Sequence, residues 1–211
     1  MGDYQPFVML DLDGTLVDSV YLHVVAWSEA FRAAGHDVPD WRVHAAIGMG
    51  GDRLVPWLLG EQRDDLKALK DDHERRFLAR TGALRPTVGD RELVEDLEAR
   101  EIPFAVATSA TADVRAALLD ALGRTDLETT DADEVASPKP APDLLLATCA
   151  RLGADPAQST LVGDSPWDAE AAERVGIRTI AVRCGGFGDD ALVRAGAIDI
   201  VDDPRALIGR L

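Results

Sequence analysis

Short apolar runs alternate along most of the chain with segments whose apolar residues recur every three or four positions. This alternation predicts a parallel sheet covered by helices, since strands buried on both faces read as continuous apolar runs. Phe7–Leu10 reads as the first strand and Phe104–Ala107, entered through Pro103, as the second. Thr160–Val162 and Thr179–Val182 read as the third and fourth, and Ile198–Val201 as a short last one. Helical spacing covers Glu92–Arg100, Ala112–Leu122, Leu144–Leu152 and Trp167–Val175, and Gly123, Gly153 and Gly176 follow the last three as stop signals.

The stretch from about Val20 to Arg85 breaks the rhythm. It holds no convincing strand, and "HVVAWSEAFRAAG" and "RDDLKALKDDHERRFLAR" carry apolar residues at helical spacing. The expectation is an α/β protein in which residues 1–18 and 86–211 form a Rossmann-like core and residues 19–85 a helical insertion. No internal repeat or low-complexity tract is visible.

Composition narrows the function classes. A 211-residue chain that is 46% hydrophobic can bury a sizeable core, and a formal net charge of −16 disfavours nucleic acid and anionic membranes as partners. No apolar run reaches bilayer length. The opening "MGDYQPF" lacks the basic and apolar regions of a secretory signal, and Cys149 and Cys184 show no metal or redox spacing. A cytoplasmic monomer is the expectation. Of 22 basic residues only Lys67, Lys70 and Lys139 are lysines, which singles out Lys139, while Lys67 and Lys70 lie in a charge-rich helix that reads as solvated.

Ligands of open parallel sheets sit beyond the carboxyl ends of the strands. After the first strand come Asp11 and Asp13, then Gly14-Thr15; after the second, Thr108 and Ser109; after the third, "GDSPWDAE" with Asp164 and Asp168. "SPKPAPD" brings Lys139 to a helix entrance. Taken singly, most of these could be turns or helix caps. Taken together, they suit phosphoryl transfer. One carboxylate can attack phosphorus and form an aspartyl-phosphate, and another can pass the proton to the leaving oxygen. Several carboxylates make a hard-oxygen site for Mg²⁺, and a lysine with hydroxyl and amide donors holds the phosphoryl oxygens. Such a cation and lysine would also make two adjacent buried aspartates tolerable.

These motifs resemble those of the haloacid dehalogenase superfamily, in its group of phosphatases with a helical cap inserted after the first motif. "DLDGTLVDS" is similar to the first motif, "VATSA" to the second, "SPKPAPD" to the third and "VGDSPWDAEAA" to the fourth. The resemblance implies a mobile cap and Mg²⁺-dependent hydrolysis of a small phosphorylated metabolite, of phosphoglycolate or sugar phosphate type. It implies that Asp11 is the nucleophile, Asp13 the general acid and base, and Thr108 and the Ser109 amide contacts of the phosphoryl group. Lys139 would stabilise the transferring group and Asp11. Asp164 would bind Mg²⁺ with the Asp11 carboxylate and the Asp13 carbonyl, and Asp168 would hold the metal's waters or Lys139, with those two roles partly exchangeable.

Dehalogenases of the superfamily lack the second aspartate present here as Asp13, and the phosphonate-cleaving members need a cap lysine that Lys67 and Lys70 do not suit. β-Phosphoglucomutase is the main alternative, because "DSVYLHVVAW" resembles its cap entrance. Yet Gly51 stands where mutases place a phosphate-gripping arginine, and Ala110 and Thr111 replace their serine and lysine. A binding protein without turnover is disfavoured because every charged catalytic position is filled. In the cap, His23, Trp27, Gly48, Met49, Gly50, Gly51 and Arg53 are candidate substrate contacts, with turn and packing roles as the plain alternatives. His36, His44 and His73 read as surface or packing residues, and Trp167 as packing under the site.

Overall fold

A computed structural model describes residues 7–60, 63–130 and 139–211. The first six residues, and Ser137 and Pro138 of the third motif, lie outside them. Six strands form one parallel sheet: β1 (Phe7–Leu10), β4 (Phe104–Ala107), β5 (Thr129–Thr130), β6 (Ser159–Gly163), β7 (Arg178–Val182) and β8 (Ala197–Val201). Their order is β5-β4-β1-β6-β7-β8. The chain therefore builds outward from β1 on one side, returns, and builds outward on the other. That reversal opens a crevice at the carboxyl ends of β1 and its neighbours.

β1 is buried on both faces, and its alternation divides the core. Val8 and Leu10 join Leu93, Leu97 and Leu118, whereas Phe7 and Met9 join Leu145, Leu161 and Ala172. Helices α5 (Asp90–Ala99), α6 (Ala112–Leu122), α7 (Asp143–Leu152), α8 (Pro166–Glu173) and α9 (Asp189–Arg194) complete this layer. Helices α6 and α7 end at Gly123 and Gly153 as the sequence predicts. Helix α8 stops earlier than expected, with Gly176 closing the turn through its amide to the Glu173 carbonyl.

Between β1 and α5 lie four helices: α1 (Val20–Ala33), α2 (Asp40–Ala46), α3 (Gly51–Leu59) and α4 (Leu66–Leu78). They bury a separate core around Val24, Trp27, Phe31, Val43, Leu54, Val55 and Leu69. The sequence shows no strand here, but Val17–Asp18 (β2) and Arg85–Pro86 (β3) pair as a short antiparallel ribbon at the two crossings into the helical unit. Two-residue ladders are too short to leave a periodic signal. Trp41 does not join the helical core; it is 72% exposed. No helix among the described residues is long and apolar enough to cross a membrane.

Candidate active site

The carboxyl end of β1 delivers the paired aspartates. The Asp11 amide continues the ladder to the Val162 carbonyl at 2.9 Å, and the chain then turns tightly, with the Gly14 amide donating to the Val17 carbonyl at 2.8 Å. Gly14 has φ +75°, and a Cβ there would sit 2.4 Å from Asp164 Oδ2. Only glycine serves this turn, for both its conformation and its clearance.

Asp11 is 5% exposed and Lys139 3% exposed. Lys139 Nζ donates to Asp11 Oδ1 at 2.6 Å and lies 2.7 Å from Asp168 Oδ1. Asp168 Oδ2 accepts from the amide and hydroxyl of Ser165, which caps α8. Thr15 Oγ1 donates to Asp164 Oδ1 at 3.2 Å. Side-chain oxygens of Asp11, Asp164 and Asp168 come within 4.8 Å of one another. The single ammonium of Lys139 leaves that trio with excess negative charge.

The electrostatics follow from this imbalance. Burial pushes the Asp11 carboxyl up; Lys139 opposes it, Asp168 and Asp13 reinforce it, and the result is about 7. Burial, then Asp168 and Asp11, raise Asp164 well above the carboxylate range. Burial acts to lower Lys139, but Asp11 and Asp168 overcome it and hold the lysine charged. Three hard oxygen donors with uncompensated charge fit a divalent cation.

Asp13 is treated differently. Its Oδ1 accepts from Ser19 Oγ at 2.7 Å and lies 2.8 Å from His23 Nε2. Burial pushes this carboxyl up, but His23's charge and hydrogen bond, aided by Ser19, bring it below its ordinary value. His23 Nδ1 in turn lies 3.0 Å from His73 Nε2, so His23 is more than a packing residue. His73, expected as a surface or packing residue, packs by stacking on Trp27 and also bonds His23. Burial, with His23 adding to it, keeps His73 well below the usual histidine range.

Thr108 is buried behind the crevice, where its Oγ1 accepts from the Ala110 amide at 3.1 Å. Ser109, Ala110 and Thr111 line the cavity in front of it. That cavity, of about 250 Å³, lies between Asp11, Asp13, Lys139 and Asp164 below and the helical unit above. Trp27, Gly48, Met49, Gly50 and Gly51 reach it as expected. Arg53 does not: it lies on the exposed face of α3, away from the lining, because the first turn of α3 presents Gly51 and Asp52 instead. Lys70 departs from expectation the other way. It lines the cavity and donates to Asp52 Oδ1 at 2.9 Å, whereas Lys67 is solvated and pairs with Asp71.

Trp167 is not beneath the site. Its Nε1 donates to the Ala45 carbonyl at 3.2 Å, and its ring meets Trp57 edge-on, so it joins the core to the helical unit. His44 Nε2 makes a second such joint with the Gly185 carbonyl at 2.9 Å and stacks between Tyr21 and Phe187. His36 lies near Asp65 at the periphery. Sequence reasoning overlooked Gly185, whose hypothetical Cβ would fall 1.9 Å from Asp164 Oδ2. The glycine run in "RCGGFGDD" directly after β7 was its only signal.

Residues 7–176 match the family model described as haloacid dehalogenase-like hydrolase. Over 210 residues, 95% of this chain and 92% of the relative, the sequence is 31% identical to an N-acetylmuramic acid 6-phosphate phosphatase of Pseudomonas aeruginosa. It is 33% identical over 214 residues, 97% and 93% of the two chains, to a protein of Dickeya dadantii named probable phosphatase IndB. The crystal structure of a hydrolase from Pseudomonas syringae superposes with a TM-score of 0.94 at 32% identity, covering 97% of each chain. With its motifs at the carboxyl ends of a Rossmann-ordered sheet and the match spanning most of its length, the chain belongs to the haloacid dehalogenase-like hydrolase family.

Proposed function

We propose that the protein is a Mg²⁺-dependent phosphatase that hydrolyses a small phosphate monoester, of sugar phosphate or phosphoglycolate type, through a phosphorylated Asp11. The observation that carries this reading is the Asp11–Lys139–Asp168 bridge, with Asp164 beside it, open to a cavity roofed by the helical unit. Asp11, Asp164 and Asp168 would hold the cation together with the Asp13 carbonyl. The cation would neutralise the phosphate and draw charge from Asp11, which then stays ionised despite its raised pKa.

An ionised Asp11 attacks phosphorus, and the bond to the ester oxygen breaks. Asp13, once freed from His23 and protonated, would give that oxygen its proton and take one back from the water that cleaves the aspartyl-phosphate. Lys139, the Thr108 hydroxyl and the Ser109 amide hold the phosphoryl oxygens as charge spreads over them. In the arrangement described, Asp13 is occupied by Ser19 and His23. Since His23 belongs to α1, movement of the helical unit, residues 19–85, would couple substrate entry to the release of Asp13. The seam made by Trp167 and His44 is where that unit would part from residues 1–18 and 86–211.

Hydrolysis is favoured over a hexose-phosphate mutase. A mutase must grip a second phosphate, yet Arg53 lies outside the cavity and Lys70 is already paired with Asp52. Phosphate release from p-nitrophenyl phosphate that requires Mg²⁺ and disappears in Asp11→Asn tests the reading. Retained turnover in that variant would remove Asp11 from its role.

A further inference from the structure

The floor of the cavity is explained by phosphate chemistry, but its roof is not. Among the described residues, the charged groups there are Asp52, in the first turn of α3, and Lys70 and Glu74, one turn apart on α4. Lys70 Nζ donates to Asp52 Oδ1 at 2.9 Å, and its stem crosses Gly51, where a Cβ would lie 3.1 Å from Lys70 Cγ. The partial positive charge at the start of α3 faces Asp52 in its own first turn. His23 is engaged by Asp13, and His73 stays neutral. Among the described residues the roof thus sets one positive charge, already paired, against two carboxylates. Trp27 and Met49, both largely buried, also line the cavity.

Resting on the phosphatase reading, we propose that this roof selects phosphate esters whose retained part is an uncharged polyol, a sugar or sugar alcohol, and rejects esters carrying a carboxylate or a second phosphate. An anionic group under the roof faces Asp52 and Glu74, and the one cation there, Lys70, already has its charge offset by Asp52. A hydroxyl meets no such repulsion: it donates to either carboxylate and accepts from Lys70. Specificity here comes from a repulsive element as much as from an attractive one.

Matched substrates test this directly. Glycerol 3-phosphate and 3-phosphoglycerate differ mainly in one carboxylate, as do sorbitol 6-phosphate and 6-phosphogluconate. The wild-type enzyme should favour the neutral member of each pair by about tenfold or more in kcat/KM, the size of one close like-charge contact partly screened by water. Asp52→Asn combined with Glu74→Gln should reduce that ratio about fivefold or more, by removing the repulsion. A merely structural role would lower both members together and leave the ratio unmoved. Calorimetry on Asp11→Asn, with Mg²⁺ and the same pairs, reads the discrimination without turnover. A wild-type preference for the carboxylate members, an unchanged ratio in the double variant, or equal binding in Asp11→Asn overturns the proposal. Loss of p-nitrophenyl phosphate hydrolysis alongside intact binding preference would instead overturn the phosphatase reading alone.

Discussion

The two walls of the cavity place charge by opposite rules. On the core wall Asp11, Lys139, Asp164 and Asp168 are all buried, fixed by strand ends and a helix cap, and burial and the neighbouring charges displace the pKa values of Asp11, Lys139 and Asp164. On the helical wall the Lys70–Asp52 pair stays in contact with water, Lys70 being 38% exposed, and it has few partners beyond itself. A buried charge is tolerated only when its partners are fixed, so the core wall has almost no freedom to change. A half-exposed ion pair is worth little to stability, and the helical wall can vary at small cost. One wall suits chemistry that must stay constant, the other recognition that can differ between relatives.

Substitutions should separate the walls in graded steps. Asp11→Asn should lower phosphate release on the order of 10⁴-fold or more, read by steady-state assay, since nothing else in the cavity replaces the attacking carboxylate. Lys139→Ala should reduce kcat about 10²- to 10³-fold. It should also cost ~3 kcal/mol in denaturant melts, because Asp11 and Asp168 lose their shared cation. An unimpaired Lys139→Ala enzyme would make the bridge a bystander. Gly185→Ala should displace Asp164 and weaken Mg²⁺ affinity by about 10- to 100-fold, measured by titrating activity against the cation.

The pH dependence of stability sharpens the contrast further. The ordinary carboxyl value is 3.8 and that of folded Asp11 about 7. Within that window the folded chain keeps a proton that the unfolded chain has lost, so without Mg²⁺ the Asp11 contribution falls as pH rises through it. Thermal melts without Mg²⁺ should therefore decline more steeply with rising pH in the wild type than in Asp11→Asn. Added Mg²⁺ should restore stability above pH 7, by binding the ionised carboxylates. Parallel curves for the two proteins would show that Asp11 is not the group responsible. On the helical wall, Lys67→Ala and Arg53→Ala should change kcat/KM less than about twofold and stability by ~0.5 kcal/mol or less, as solvated positions outside the cavity do.

The sequence by itself determined the parts of this protein whose physics is local. Apolar runs at Phe7–Leu10 and Phe104–Ala107 marked strands to the residue, because a strand buried on both faces reads as a near-continuous apolar run. Carboxylates at strand ends and a lysine at a helix entrance pointed to phosphoryl transfer because such groups are too costly to bury without a task. Only the tertiary structure decided which of these groups meet. Lys139 bridges Asp11 and Asp168 across 128 and 29 residues of chain, a contact that no spacing rule contains. The same holds for the cavity roof: Lys70 reads as a solvated helix position, and Arg53 as the nearer cation. Which one turns inward depends on how α3 and α4 pack over Gly51, and that packing is set by the helices as a body.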